Sequence, residues 1–504
     1  MRTPEMWIDQ GAGWTNVTAH DGETCALAAF GIEWGTDDPL EAPDPSVMTA
    51  TLVDRTGRLA ANPRTLAGMR VMIRLPHALT WGDIGAAAGQ WQAQRYEWRS
   101  AHRRLPRKDP ADPFTGAGLT LFRGRLNTGG TITRKGDTWR ISLKATSDLA
   151  LLKRVTTQGP TDPKQPGYHW TGGRTAARSA STTPARRRTA VMREITRRLA
   201  ALGLPLKTQP DTPPAGDTAP YGTDSYPQLL TVITDTIGVD TDLLMYRLYE
   251  SFDDDRDGEH TIIVAVNGIA RIGISADGRI GISADGRIEH VRDSSLLTVD
   301  QATLQIPEPV TQVKINGRKA TWDDDKKTVS YDDHEANINA AGTLPANLTA
   351  NEKSASLDTN SILADESSGH WTGTPADTDA MKANAIAWIA NRTMRAAPAG
   401  ISASSAFIDP DTDPTIFKPE PATWAFTANL FSPLISDDGR PALNGPWLAI
   451  GGTIEYDGRR LTSTPTFTPL RTPGDPPAWQ DIPDAPLTWQ QVKATWAEFE
   501  QITR

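Results

Sequence analysis

In WRISLKAT (139–146) apolar and polar residues alternate, and much the same beat recurs in WTNVT (14–18), MTATLVD (48–54), VMIRL (71–75) and LTLFRGRL (119–126). Successive side chains of a strand point to opposite faces, so a period of two commits a segment to a sheet with one face buried and one in water. From Trp7 to about Leu152 the chain is therefore expected to form antiparallel strands closing into a small barrel or sandwich. Residues of about 80–117 interrupt this pattern, first rich in Gln, Arg and Ala and then broken by prolines. They are expected to be a surface insertion with a helical middle.

Beyond this first domain (1–152), residues 153–183 are rich in Thr, Pro and Gly without periodicity and read as a linker. A mixed domain (184–300) follows. Its helix 184–202 is framed by Thr183 as cap, Pro184 in the first turn and Gly203 at the end, with Val191, Ile195, Leu199 and Leu202 as the buried stripe. A shorter helix spans 225–238. The stretch RIGISADGRIGISADGRIEH (271–290) is an octapeptide written twice and begun again, each copy ending in Asp-Gly. With Asn267-Gly268 ahead of it, it reads as a β-meander over 261–291, a repeat that supplies shape and no chemistry. Strands return over 301–470, interrupted by a helix at 377–396. A proline-rich spacer then leads into an amphipathic helix within 471–504, where Trp489, Val492, Trp496 and Phe499 fall at three–four spacing. Thirty-eight prolines and 41 glycines fit many short elements joined by turns. The fold class expected is α+β, mainly β, multi-domain, with small barrels and a few helices.

The chemistry-bearing residues do not form a catalytic constellation. No nucleophile elbow, phosphate loop, zinc-binding helix or dinucleotide fingerprint occurs. The eight histidines are scattered, and Cys25 is the single cysteine, so neither a zinc site nor an internal disulfide is expected. Asp253, Asp255, Asp257 and Gly258 match half of a calcium loop, but Val264 stands where the closing glutamate belongs, and the flanks read as strands. An acidic hairpin turn is the better expectation. A net charge of −9 argues against a dedicated nucleic-acid binder, although arginines cluster at 174–198 and basic residues at 95–108. No apolar run reaches membrane-spanning length, and the start lacks a signal core, so a chain without stable membrane insertion is expected. No enzyme, cofactor or metal is expected.

Several stretches, taken in order, resemble the minor tail proteins of siphophages and prophages of actinobacteria. They are Glu33-Trp34-Gly35, Pro45-Ser46, the D-x-x-G-x-L turn Asp54 to Leu59, and Leu121 to Gly124. PQLLTVITDTIG, the helix at 377–396, GPWLAIGGTIEYDGRRLTSTPTFTPLR and the closing W-x-x-φ (φ apolar) units continue the likeness. The resemblance implies a tail-tip, or baseplate, hub: a structural virion protein with two related barrels per chain. Three chains would form a ring that abuts the tail tube and lines the DNA channel. Implied partners are the tail tube, distal tail and tape measure proteins and other tail-tip proteins, with DNA in transit. Implied locations are the tail tip of the virion and, during assembly, the host cytoplasm. The terminal helix, with Trp489, Val492, Trp496 and Phe499, is the expected docking element. Rival expectations are a hexameric distal tail protein, a tail-borne cell-wall hydrolase and a host-binding adhesin.

Overall fold

The structure, a computed structural model, describes residues 3–9, 11, 13–18, 25–37, 44–61, 66–76, 118–155, 196–197, 199–204, 206–209, 228–231, 233, 246–252, 261–267, 271–274, 280–283, 292–293, 303–305, 310–323, 325, 328–339, 354–365, 397–406, 410, 414–425 and 447–469. The alternating segments are strands. They are β1 (Glu5–Asp9), β2 (Trp14–Asn16), β3 (Ala26–Gly35), β4 (Val47–Asp54), β5 (Arg70–Pro76), β6 (Gly118–Leu126), β7 (Thr131–Lys135) and β8 (Thr138–Ser147). A short helix, α1 (Leu149–Arg154), ends this run.

The strongest alternation gives the cleanest two-faced strand. In β8, Ile141, Leu143 and Ala145 are buried while Arg140, Ser142 and Lys144 are exposed. Its partner β4 buries Met48, Ala50 and Leu52 on the same side. In β3 the beat would fail between Leu27 and Phe30, both buried and three apart. A bulge between Leu27 and Ala29 absorbs the extra residue and returns Phe30, Ile32 and Trp34 to the core. β1 and β5 read instead as nearly continuous buried runs, covered on both faces.

The sheet turns a corner at β6. Its last residues, Gly124–Leu126, pair with β8, and β7 continues along that same edge of β8. On its other edge β6 pairs with β5 from Gly118 to Arg125, running on past the stretch that pairs with β8, and β5 in turn pairs with β1. A bulge between Ile73 and Arg74 adds to the bend. One core results, in which Met6, Ile8, Val71 and Leu121 join Phe30, Met48 and Ile141.

Further strands are β9 (Leu206–Gln209), β10 (Tyr246–Ser251), β11 (Thr261–Asn267), β12 (Arg271–Ile274), β13 (Ile280–Ser283), β14 (Arg292–Asp293) and β15 (Thr303–Gln305). Then come β16 (Gln312–Asp323), β17 (Thr328–Asn339), β18 (Ser354–Asp365), β19 (Ala397–Ala399), β20 (Ala403–Ser404), β21 (Ala422–Ala425), β22 (Trp447–Tyr456) and β23 (Leu461–Pro469). β22 does not stay with its neighbours in sequence alone. It pairs antiparallel with β3, Gly451 opposite Gly35 and Tyr456 opposite Phe30, while β23 and β21 pair with β22. This ladder joins segments that sequence analysis assigned to 1–152 and 301–470.

The mainly β fold class is present, but closed barrels are not found among the described residues. The principal sheet runs open from β14 through β21, β22, β3, β4, β8, β6, β5 and β1 to β2. The physical reason lies at β3, whose second edge is taken by β22 rather than by another of the first eight strands. Smaller sheets comprise β10–β11–β9, β12–β13, β15–β19 and β17–β16–β18. In the octapeptide repeat, β12 pairs with β13, Ile272 opposite Ile282 and Ile274 opposite Ile280. β11 pairs with β10 and β9.

Of the expected helix 184–202, the last turn is described. Leu199 is fully buried, whereas Leu202 is 53% exposed, a correction to the expected stripe. Gly203, at φ +61°, closes a Schellman motif: its N–H bonds to Ala200 O (3.0 Å) and that of Leu204 to Leu199 O (3.0 Å). Leu202 is thus the C-cap residue, past the last turn that packs. In the expected helix 225–238, Leu229, Leu230 and Ile233 are buried. The expected linker start at 153 is corrected, since Lys153 and Arg154 close α1; the rest of the linker from 156, the insertion at 80–117, the helix 377–396 and the segment 471–504 lie outside the described residues.

Candidate functional site

Three of the stretches that carry the family resemblance hold joints of the principal sheet. Glu33-Trp34-Gly35 ends β3 at its crossing with β22. Gly35 has φ +73°, and a Cβ there would lie 2.1 Å from Ile450 O. Across the ladder, Gly451 and Gly452 are equally confined, by Thr36 O and Thr464 O. Backbone meets backbone here because no side chain intervenes, and Trp34, opposite Gly452, is buried.

The D-x-x-G-x-L turn is organised by one carboxylate. Asp54 is fully buried at the end of β4. Its Oδ1 accepts the N–H of Thr56 (2.9 Å) and Gly57 (2.7 Å) and the Thr56 hydroxyl (3.0 Å); its Oδ2 accepts the N–H of Leu59 (2.9 Å) and Ala60 (3.0 Å). Burial alone would raise its pKa, but the hydrogen bonds from Ala60, Thr56 and Gly57 outweigh it, and the carboxyl sits below its ordinary value. Gly57, at φ +73°, allows the reversal, and Leu59 packs on the core.

Pro45-Ser46 precedes β4 and receives a second buried acid. Glu250, in β10, accepts the Ser46 N–H (2.9 Å) and hydroxyl (2.7 Å) through Oε2. The next two residues extend the joint: Ser251 donates to Glu420 (3.2 Å), and Phe252 packs on Phe122 with ring centroids 5.7 Å apart. On the other side of Ser46, its carbonyl accepts the Ser147 N–H (2.9 Å), and buried Asp148 pairs with Arg125 (3.3 Å). Three residues of β10 and its exit thus pin a small sheet, the principal sheet and segment 414–420 together. Desolvation raises the Glu250 carboxyl above its ordinary value despite the Ser46 donors. Asp148 is likewise raised by burial, against the opposing pull of Arg125, Arg70 and Arg123.

A serine hydrogen-bonded to a carboxylate invites a nucleophile–base reading. Ser46 is 3% and Glu250 5% exposed, so no substrate reaches the pair, and it serves as a clamp. Cys25 is also buried, and desolvation, then the charge of Asp54, pushes its thiol up to about 12. It is a thiol, hence unreactive, at neutral pH. Among the described residues no group of His, Cys, Asp and Glu is disposed to hold a metal, and no helix is long and apolar enough to cross a membrane.

The acidic stretch 253–258 lies outside the described residues, yet its flanks are the strands β10 and β11, paired antiparallel with Ser251 opposite Ile262. Trp489, Val492, Trp496 and Phe499 also lie outside the described residues. Sequence reasoning missed Glu250. Its partner Ser46 is 204 residues away, and YRLYESF offers no local spacing that marks it.

The clamp gives an expected result. Glu250→Ala should cost about 2–4 kcal/mol, since two buried donors on Ser46 lose their acceptor. Glu250→Gln keeps one acceptor oxygen and avoids a buried charge, so it should cost about 1 kcal/mol or less. A carboxyl raised in the folded state gives stability that is full below the unfolded value of about 4.3 and lost as pH rises through the folded one. Urea midpoints against pH should therefore fall more steeply for the wild type than for Glu250→Gln above about pH 4.3.

No protein-family model matches the chain, and no curated protein matches it. Among solved structures, it is similar to a tail protein from Neisseria meningitidis MC58, at 6% identity and a TM-score of 0.42, covering 92% of this chain and 96% of that one. It is similar to the 43 kDa tail protein of prophage MuSo2 from Shewanella oneidensis, at 10% identity and a TM-score of 0.42, covering 92% and 98%. A third is a prophage tail protein from Listeria monocytogenes EGD-e, at 8% identity and a TM-score of 0.35, covering 92% and 94%. At TM-scores of 0.42 and below, these likenesses carry no weight on what this chain does.

Proposed function

We propose that the chain is a structural component of a phage or prophage tail, a tail-tip hub whose product is a ring and not a reaction. The observation that carries the reading is the placement of the family-like stretches. The Trp34-Gly35 strand and GPWLAIGGTIEYDGRRLTSTPTFTPLR, some 400 residues apart in sequence, form one ladder, and Ser46 and Asp54 brace the strand beside it. These stretches build a rigid sheet, the kind of body that assembles by its faces.

On this reading three chains form a ring at the end of the tail tube, in contact with tube, distal tail, tape measure and other tip proteins. The terminal helix docks on one of them through Trp489, Trp496 and Phe499, with Val492 on the same stripe, since buried aromatic anchors dominate interfaces. A net charge of −9 suits a channel past which DNA phosphates slide.

Mass photometry of the purified protein tests the reading. Trimers, together with label on the C-terminal helix at the tail tip in negative-stain images of particles, are expected. A hexamer with a sixfold ring would move the assignment to a distal tail protein. Clearing of host cell walls by the purified protein would overturn the non-enzymatic reading, and specific glycan binding without tail incorporation would favour an adhesin.

A further inference from the structure

Two strand edges of opposite charge stand open. β7 pairs with β8 and β17 with β16, and among the described residues neither strand has a partner on its second side. An open edge offers a row of backbone N–H and C=O groups to any extended strand that meets it, and charged side chains decide which strand can. β7 ends in Arg134 and Lys135, both exposed. β17 carries Asp332, Asp333 and Glu335, all exposed.

These charges are not consumed within the chain. Arg134, Lys135 and Asp332 form no ion pair among the described residues. Asp333 pairs with Arg318 and Glu335 with Lys314, both on β16, yet the Asp333 side chain stays 93% exposed and that of Glu335 45%. Arg134 is held on β7 by the Trp139 ring, 5.5 Å away, and by donating to Gly136 O (3.1 Å).

Like charges directly opposite one another destabilise a strand pair, and opposite charges stabilise it. A second β7 is therefore repelled from β7, and a second β17 from β17, while β7 and β17 suit each other. On β16, Arg318 stands opposite Asp333 and Lys319 opposite Asp332. An antiparallel β7 on the far edge of β17 that sets Arg134 opposite Asp333 also sets Lys135 opposite Asp332. Both rows then read cation, carboxylate, cation across three strands.

We infer that the chains of the ring are joined edge to edge, β7 of one chain pairing antiparallel with β17 of the next, Arg134 opposite Asp333 and Lys135 opposite Asp332. The inference rests on the ring reading and names its contact. Because the two edges differ, the contact runs head to tail, the arrangement by which an odd number of like chains can close into a ring. A shift of the strands by one residue either way separates one of the two charge pairs, so charge sets the register as well as the attraction.

Sedimentation velocity of the full chain tests the contact. Arg134→Glu with Lys135→Glu leaves both edges acidic, and Asp332→Lys with Asp333→Lys removes the acid pair that β7 meets. Each double variant should self-associate about tenfold more weakly than the wild type, or worse. All four side chains are exposed, so urea midpoints should stay near the wild-type value. The fourfold variant exchanges the two signs and matches every junction again, so trimers should return, which a misfolded chain would not give. A fourfold variant as weak as the doubles, or trimers that both double variants form as well as the wild type, would overturn this pairing and leave the ring reading standing. A wild type that stays monomeric at every concentration would overturn the ring reading itself.

Discussion

Gly35→Ala is expected to lower the stability of the folded chain by about 2–5 kcal/mol, as the sum of two costs. A non-glycine residue in the left-handed region costs about 1–2 kcal/mol. Forcing a methyl group into a filled space costs about 1–3 kcal/mol more. Both apply at Gly35, where φ is +73° and the added carbon would lie 2.1 Å from Ile450 O and 2.5 Å from Gly451 Cα. Those atoms are backbone and cannot swing aside as a side chain would. Relief requires β22 to move off β3, which also breaks the Thr36 N–H to Ile450 O bond of 3.1 Å. Gly31→Ala is the internal control. Gly31 lies on the same strand, and a Cβ there would meet only the Thr49 Oγ at 3.5 Å, an ordinary contact. Its cost should stay within about 1 kcal/mol. Equal urea midpoints for the two variants would refute the close crossing as the joint between β3 and β22.

The contrast between these glycines also marks what sequence reveals. Alternation in WRISLKAT and MTATLVD assigned their faces correctly, because a period of two is a local property and the core accepts one side only. Partners are another matter. Nothing local in WLAIGGTIEYDG says that it will lie against FGIEWG, and among the described residues that pairing leaves the first strands, expected as a small barrel or sandwich, in an open sheet. Gly35 and Gly31 look alike in the text; the difference is made by a strand more than 400 residues further on. Leu202 shows the same limit at short range, since helical spacing places it beside Leu199 but the Schellman turn ends the packing first. α1 was not anticipated, its six residues being too few to display a period. Glu250 and Ser46 are each unremarkable in sequence and become a clamp only when the sheets meet.

Asp54, by contrast, carries its partners within six residues, and its motif could be read as a turn before its mechanism was known. Asp54→Ala should cost about 2–4 kcal/mol at neutral pH, because the loop loses a charged acceptor for four backbone N–H groups and one hydroxyl. Asp54→Asn retains one acceptor oxygen and should fall between the variant and the wild type. The sign of the pH dependence follows from the lowered carboxyl. A group whose folded value lies below its unfolded value of about 3.9 contributes stability that is full above 3.9 and lost as pH falls through the folded value. The gap in urea midpoint between wild type and Asp54→Ala should therefore be constant from pH 7 to about 5 and narrow below about pH 4. Glu250 works in the opposite sense and above about pH 4.3, so the two carboxyls separate on one pH series. A gap that stayed unchanged down to pH 2 would mean that Asp54 shapes the turn without its charge, and that the motif demands the side chain's form alone.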